Sequence, residues 1–247
     1  MKEVLRWELR SPLNLVLASA GAVLVGTVMK RHYMTWSAGS YGGPHGVEEL
    51  GPIFREAFTG DVYLLLAILV PFIITLSVRL ERDEGVALSV YALPVSRVKI
   101  LLAKFLASFL ALFLFVFSVH LLVFVLHFSA TPSAVLSVLK THSAQMAFFY
   151  LSALLFMTSV AALIAIASPN TYVSIFGGFI VLYLPEFLGT NWYGPVPWGN
   201  FLTSSYSATI SIRMDPLFSW AFVKITLLPA LVFLLLYLLI GNWRDVR

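Results

Sequence analysis

Arg79–Lys104, with the sequence RLERDEGVALSVYALPVSRVKILLAK, is the stretch that decides how the chain is organised. It holds five of the sixteen basic residues and three of the twelve acidic residues of a chain that is otherwise mostly apolar. Apolar runs flank it, Val62–Val78 before it and Phe105–Leu126 after it. A loop this charged between two membrane spans must lie in water, and its excess of Lys and Arg predicts the cytoplasmic side.

Composition sets the class of protein. The 247 residues are 60% hydrophobic and 11% charged, with a mean hydropathy of +0.90, which excludes a soluble domain and predicts an all-α integral membrane protein. The net charge of +4 is spread over predicted membrane edges, so it indicates contact with anionic lipid and no nucleic acid. The chain has no cysteine, which excludes disulfides, cysteine nucleophiles and thiolate metal sites.

Apolar runs of sufficient length predict six transmembrane helices, at residues 13–29, 62–78, 98–127, 146–167, 172–188 and 217–240. Predicted cytoplasmic segments carry ten Lys or Arg residues and predicted external segments carry five. This bias places both termini in the cytoplasm. The charged start MKEVLRWELR is unlike a cleavable signal peptide, so we expect none.

Three further segments have predictable roles. Residues 1–12 alternate charged and apolar side chains, which predicts an interfacial helix with Trp7 at headgroup depth, turned into the membrane by Pro12. Residues 47–58 (VEELGPIFREAF) predict a surface helix with Leu50 and Phe54 towards the bilayer, and residues 129–143 predict an external loop.

Small residues in two spans predict close helix approach. They are Ala18, Ala20, Gly21, Ala22 and Gly26 in the first span and Gly177-Gly178 in the fifth. The sequence leaves two uses for the first of these faces, contact with a second protomer or packing within one protomer.

The charged loop itself has internal structure. Gly85 can interrupt the backbone, residues 86–91 are half apolar, and Leu93-Pro94 can end a short helix. Ser96 stands at the N-cap position of the next span, and Arg97 stands at the membrane edge. A short amphipathic helix held between two spans is suited to docking a partner.

The order of these residues resembles the first cytoplasmic loop of ABC exporter permeases of the type-2 class, and WELRSPL at 7–13 is similar to the usual start of those permeases. The resemblance implies an elbow helix at 1–12, a coupling helix within 79–97, and a short re-entrant gate segment at 189–216. The residues it assigns to ATPase coupling are Glu81, Arg82, Glu84, Gly85, Leu88, Leu93, Pro94, Ser96 and Arg97.

The same resemblance implies the function: a permease subunit of an ATP-driven exporter in the plasma membrane of a prokaryote. It would work as a homodimer or heterodimer with a cytoplasmic ABC ATPase subunit. The resemblance also implies a path between protomers, for which the small-residue faces of the first and fifth spans are candidates. The chain contains no Gly-x-x-x-x-Gly-Lys-Ser/Thr motif, so ATP and Mg would bind to the partner, and we expect no enzymatic activity and no bound cofactor or metal.

Ionisable residues within apolar segments are candidate functional residues. Glu186 and Lys224 are predicted at similar outer depth, where they either pair or extend separately to the headgroups. Together with Trp192 and Trp198 they are candidates for the translocation path or gate.

His120 and His127 are seven residues apart and share a helix face, which favours hydrogen-bonded packing over a metal or proton site. Two alternative functions remain at this stage. An ion- or proton-coupled secondary transporter would need charged relays or inverted repeats, which the sequence does not display. An intramembrane enzyme would have to use His120, Ser118 and Ser108, which lie on one helix.

Overall fold

The computed structural model describes residues 2–9, 12–39, 47–58, 60–83, 95–188 and 227–243. Within these ranges the chain is helical and contains no strand, which confirms the all-α prediction for them. The helices are α1 (Lys2–Leu9), α2 (Pro12–Gly39), α3 (Val47–Glu56), α4 (Gly60–Asp83), α5 (Arg97–His127), α6 (Pro132–Ala167), α7 (Thr171–Leu188) and α8 (Leu228–Trp243).

Several helices can cross a membrane. Four stretches are long and apolar enough, at Leu15–Thr35, Glu48–Arg79, Arg97–His127 and Pro132–Ala167. Helices α7 and α8 are also apolar but shorter, with 18 and 16 residues. The chain is therefore a multi-pass membrane protein, and the number of six spans stays a prediction.

Helices α4 and α6 form the centre of the bundle. Helix α4 packs against α2, α5, α6 and α7, and helix α6 packs against α3, α4, α5, α7 and α8. Helix α1 lies against α5. Because lipid is as apolar as a leucine side chain, such a bundle is held by close packing and by its polar contacts rather than by the hydrophobic effect.

Two glycines, one in α2 and one in α7, allow close helix crossings. A Cβ on Gly26 of α2 would lie 2.6 Å from Val119 Cγ1 of α5, and a Cβ on Gly178 of α7 would lie 2.7 Å from Pro71 Cβ of α4. Both positions are filled by neighbours from the same protomer. Packing within one protomer accounts for these two glycines, and a path between protomers along the small-residue faces stays a prediction.

Three helices run beyond the spans predicted for them. Helix α2 continues past residue 29 to Gly39, α4 continues past residue 78 to Asp83, and α6 begins at Pro132. The predicted external loop at 129–143 is therefore wrong for most of its length. Its polar residues do not interrupt the helix, because Thr141 Oγ1 donates to Ser137 O (3.0 Å) and so is satisfied within it.

Helix α3 is correctly predicted as a helix, but its environment is not. Leu50 and Phe54 are fully buried. The Phe54 ring lies 4.6 Å from the His120 ring and 4.7 Å from the Phe124 ring, both on α5. The apolar face of α3 is therefore packed on the protein, and the prediction that it faces the bilayer is wrong.

Candidate functional site

Arg79 is the centre of a polar cluster at the last turn of α4. Its Nη1 donates to Ala165 O (3.4 Å) and to Ser168 O, and its Nη2 donates to Pro169 O. These carbonyls belong to the C-terminal end of α6 and the turn after it, where a helix leaves its last carbonyl groups without partners. A cation there is favoured by the helix dipole as well. Arg79 therefore caps α6 from a neighbouring helix.

Asp83 accepts hydrogen bonds from the start of α7, as Arg79 donates them to the end of α6. Its Oδ1 lies 3.2 Å from Arg79 Nε, and its Oδ2 accepts hydrogen bonds from Thr171 N (3.0 Å) and Thr171 Oγ1 (2.5 Å). Partial desolvation opposes the charged carboxylate, but the Thr171 hydrogen bonds and the Arg79 charge outweigh it and lower the pKa of Asp83. Arg79 and Asp83 together, which we call the α4 clamp, hold both sides of the turn at 168–170.

A second polar contact joins α1 to α5. Lys104 Nζ lies 2.9 Å from Glu8 Oε1, and the two side chains are only 2% and 5% exposed. Two charges this deeply buried are stable only as a pair, because removal of either would leave the other without compensation. The pair anchors α1 against the first turns of α5.

The two contacts bracket the predicted coupling loop. Residues 84–94 lie outside the described residues; they follow directly on the α4 clamp and precede α5. Ser96 is the N-cap of α5, as predicted, although its side chain makes no capping hydrogen bond. Its carbonyl accepts from Lys99 N (2.9 Å) and Ile100 N (3.3 Å). We call α1, the α4 clamp, the turn at 168–170 and the first turns of α5 the α1 end of the bundle.

The predicted coupling residues are thus only partly located. Glu81 and Arg82 lie in the last turn of α4 rather than in a loop, and Arg97 is the first residue of α5. Glu84, Gly85, Leu88, Leu93 and Pro94 lie outside the described residues. Among the gate candidates, Glu186 lies within α7, but its side chain is not described. The other three candidates, Trp192, Trp198 and Lys224, lie outside the described residues.

The opposite end, which we call the α3 end, is an aromatic cluster around His120. The His120 ring is fully buried, 4.6 Å from the Phe54 ring and 5.5 Å from the Tyr150 ring. His127 lies apart from it, beside Tyr33 with 5.8 Å between ring centroids. Both histidines pack against aromatic rings, and their predicted hydrogen bonding stays a prediction.

No metal-binding arrangement occurs in the part of the chain that the structure describes, where no three His, Cys, Asp or Glu side chains converge.

Sequence reasoning missed the partners of Arg79 and Lys104. The spacing of Arg79 and Asp83 at i and i+4 was a visible signal for an intrahelical ion pair. The carbonyls of Ala165, Ser168 and Pro169 had no such signal, because backbone acceptors are present at every position and only the fold selects them. Glu8 is likewise 96 residues from Lys104 in the sequence (104 − 8).

The described chain is a helical multi-pass membrane domain, and a polar cluster, the α4 clamp, directly precedes the charged segment 84–94. A family model described as ABC-2 family transporter protein matches residues 12–185, more than two thirds of the chain. The chain therefore belongs to the ABC-2 transporter permease family, which confirms the family resemblance. The match leaves out α1, the predicted gate segment and α8, and it indicates a membrane domain rather than an enzyme family. A search of curated proteins finds no match to the chain.

Proposed function

We propose that the chain is the membrane-spanning permease subunit of an ATP-driven exporter, coupled to a separate cytoplasmic ATPase through the predicted coupling residues between Glu81 and Arg97. The family membership supports a permease subunit. The ATPase subunit would bind ATP and Mg, since the chain has no phosphate-cradling Gly-x-x-x-x-Gly-Lys-Ser/Thr motif.

The observation that carries the coupling proposal is that the helices on both sides of residues 84–94 are tied to other helices. On one side, the α4 clamp binds α4 to the turn at 168–170. On the other side, the Glu8–Lys104 pair binds α5 to α1. A displacement of the loop would therefore move α4 together with the ends of α6 and α7, rather than being absorbed by a slack connection.

The mechanism follows from differential binding. Closure of two ATPase subunits on ATP would press on the loops of two permease protomers, in a homodimer or heterodimer. The ATPase can shift the permease between inward-open and outward-open states only by the difference in its contact energy with the two states. The predicted coupling residues between Glu81 and Arg97 supply those contacts, and the α4 clamp passes the displacement to α6 and α7.

The remaining parts of the proposal concern the other end of the path. Residues 189–216 would form an external gate that uses Trp192 and Trp198, with Glu186 and Lys224 at its base. Export as the direction and the plasma membrane as the location rest on the same resemblance. Both termini would lie in the cytoplasm, together with the α1 end.

The first experiment separates docking from coupling. The tagged chain is purified in detergent from its native membrane, and the ATPase activity of the eluate is measured. Glu84→Ala combined with Arg97→Ala should release the ATPase subunit. Arg79→Met should keep the subunit bound but return its ATPase rate to that of the isolated subunit, because the clamp transmits force without itself docking the partner.

Lys140→Ala is the matched control, since Lys140 is an exposed basic residue on α6 far from the α1 end. It should leave both the binding and the rate unchanged. A chain that purifies alone, with its thermal transition intact and no associated ATPase, would contradict the proposal and favour an ion- or proton-coupled transporter.

Orientation is tested separately, because the chain has no native cysteine. Ser89→Cys in the loop and Ser133→Cys at the exposed start of α6 give single labelling sites. In intact spheroplasts, a membrane-impermeant maleimide should label only the Ser133→Cys variant, and after lysis it should label both. The reverse pattern would place the termini outside.

A further inference from the structure

A cavity opens between α2 and α5 at the α3 end. Its volume is about 270 Å³, and the described residues that line it are Lys30, Val123, Leu126 and His127. It lies one turn beyond the crossing at Gly26, where a Cβ would lie 2.6 Å from Val119 Cγ1 of α5. Past that crossing the two helices leave a space with a cation and an imidazole on its rim and two apolar side chains on its wall.

The depth of the cavity follows from helix geometry. Lys104 is held beside α1, whose sequence is that of an interfacial helix, and His127 lies 23 residues further along α5 (127 − 104). At 1.5 Å per residue this is roughly 35 Å, slightly more than the roughly 30 Å of a hydrocarbon core. Lys30 and His127 therefore lie at headgroup depth in the leaflet opposite α1.

The lining defines the chemistry of a ligand. Lys30 is exposed and carries a positive charge, and no carboxylate is among the described lining residues. Leu126 is 65% exposed and Val123 lies one turn deeper, so the cavity opens towards lipid rather than into the bundle. A ligand that fits this lining has an anionic group that pairs with Lys30 and a hydrocarbon chain that packs on Val123 and Leu126.

The size restricts the ligand further. About 270 Å³ is just below the roughly 300–1,000 Å³ of pockets that enclose drug-sized molecules. The cavity can hold a phosphate with its glycerol, but it cannot enclose two acyl chains, which would have to lie along the outside of α5.

We propose that this cavity binds the phosphate headgroup of an anionic glycerophospholipid from the leaflet opposite α1, with Lys30 contacting the phosphate. His127 donates a second hydrogen bond while its ring stays packed on Tyr33. The proposal requires only that the chain spans a membrane and does not depend on the ATPase partner. The bound lipid fills the space between α2 and α5 beside Lys30.

The test is native mass spectrometry of the delipidated protein in a non-ionic detergent, titrated with phosphatidylglycerol or with phosphatidylcholine of the same chains. The wild-type protein should retain phosphatidylglycerol at one site more tightly than phosphatidylcholine. Lys30→Ala should weaken that tightest site about tenfold, and Lys30→Arg should restore it. Both variants should keep the wild-type melting temperature, because the Lys30 side chain is exposed.

Arg31→Ala is the matched control, since Arg31 is an adjacent exposed cation outside the cavity lining. If it weakens binding as much as Lys30→Ala, the effect is general surface charge and the proposal is overturned. Equal binding of glycerophosphoglycerol, the same headgroup without acyl chains, would also overturn it, because it would indicate a site for soluble phosphates. If Lys30→Ala bound phosphatidylglycerol as tightly as the wild type, the proposal would also be overturned.

Discussion

The two ends of this bundle are built from different interactions. At the α1 end, four charged side chains (Arg79, Asp83, Glu8 and Lys104) are paired with each other and with backbone groups. At the α3 end, the centre is an aromatic cluster in which His120 is enclosed by Phe54 and Tyr150. Three of the four paired charges are almost completely buried, at 2–5% exposure.

This difference has a mechanical meaning. Hydrogen bonds and ion pairs have preferred directions, so the α1 end joins particular helix ends at fixed positions. Dispersion between rings is spread over many weak atom pairs, so the packing at the α3 end depends on no single contact. An end that receives force from a partner is expected to be of the first kind, and an end that opens and closes is expected to be of the second.

The largest expected effect is at the ion pair between α1 and α5. Lys104→Ala leaves the Glu8 carboxylate buried without its cation and should lower the free energy of unfolding by about 3–5 kcal/mol. Glu8→Leu combined with Lys104→Met should recover most of this loss, since no uncompensated charge remains. Thermal unfolding in detergent measures both. If the double variant were as unstable as Lys104→Ala, the claim that Glu8 and Lys104 stabilise the fold only as a pair would be contradicted.

The next effect concerns the α4 clamp. Arg79→Met removes the donors to Ser168 and Pro169 and should cost about 2–3 kcal/mol, because hydrogen bonds to charged groups are strong and the freed Ser168 carbonyl is buried. Arg79→Lys should restore only part of this, since an ammonium cannot reproduce the planar fork. In denaturation measurements, the free energy of unfolding should be highest for the wild type, lower for Arg79→Lys and lowest for Arg79→Met. Equal values for all three proteins would mean that the α4 clamp does not stabilise the fold.

Between the two ends, the neighbouring glycines of α7 provide a matched pair. Gly178→Ala would place a Cβ 2.7 Å from Pro71 and should cost about 1–3 kcal/mol through overpacking. Gly177→Ala meets only Ile164 Cγ2 at 3.4 Å, an ordinary contact, and should be neutral or slightly stabilising because alanine favours helix. Melting temperatures of the two variants should differ clearly, and similar values would argue against a tight α4–α7 crossing.

A smaller effect is pH-dependent. The pKa of Asp83 is lower in the folded protein than its ordinary value of 3.8. Its charged form therefore stabilises the fold fully above that ordinary value, and this stabilisation is lost as the pH falls through the lowered folded pKa. Asp83→Asn should melt below the wild type at pH 7, and the difference should shrink in acid. A difference that stays constant down to pH 3 would exclude the carboxylate charge as its source.

The smallest effect is expected at the α3 end. His120→Phe should change the free energy of unfolding by less than about 1.5 kcal/mol, because a ring of similar shape replaces one that is already surrounded by rings. His120→Ala should cost more, since it leaves a cavity. If His120→Phe were instead as damaging as His120→Ala, a polar role for the imidazole would be indicated and the contrast between the two ends would weaken.

Much of the fold could be predicted from local pattern. The apolar run at 98–127 predicts almost the whole of α5, and Ser96 marks its start. The errors fall where tertiary contacts override local polarity. Polar residues at 129–143 suggested a loop, yet the segment is largely helical because Val135 and Val138 are buried against the bundle. Leu50 and Phe54 of α3 were predicted to face lipid, and only the fold could reveal that α5 and α6 cover them.

The sequence by itself determined the class of protein and its family. Hydropathy depends on residue type alone, and the order of charged, Gly and Pro residues in Arg79–Lys104 is visible in the sequence itself. The tertiary structure decided which charges meet. Glu8 and Lys104, and Arg79 and the carbonyls at 165–169, are 86 or more residues apart in the chain. Long-range pairing of this kind depends on how the helices are arranged in the bundle, and a local sequence pattern carries no record of that arrangement.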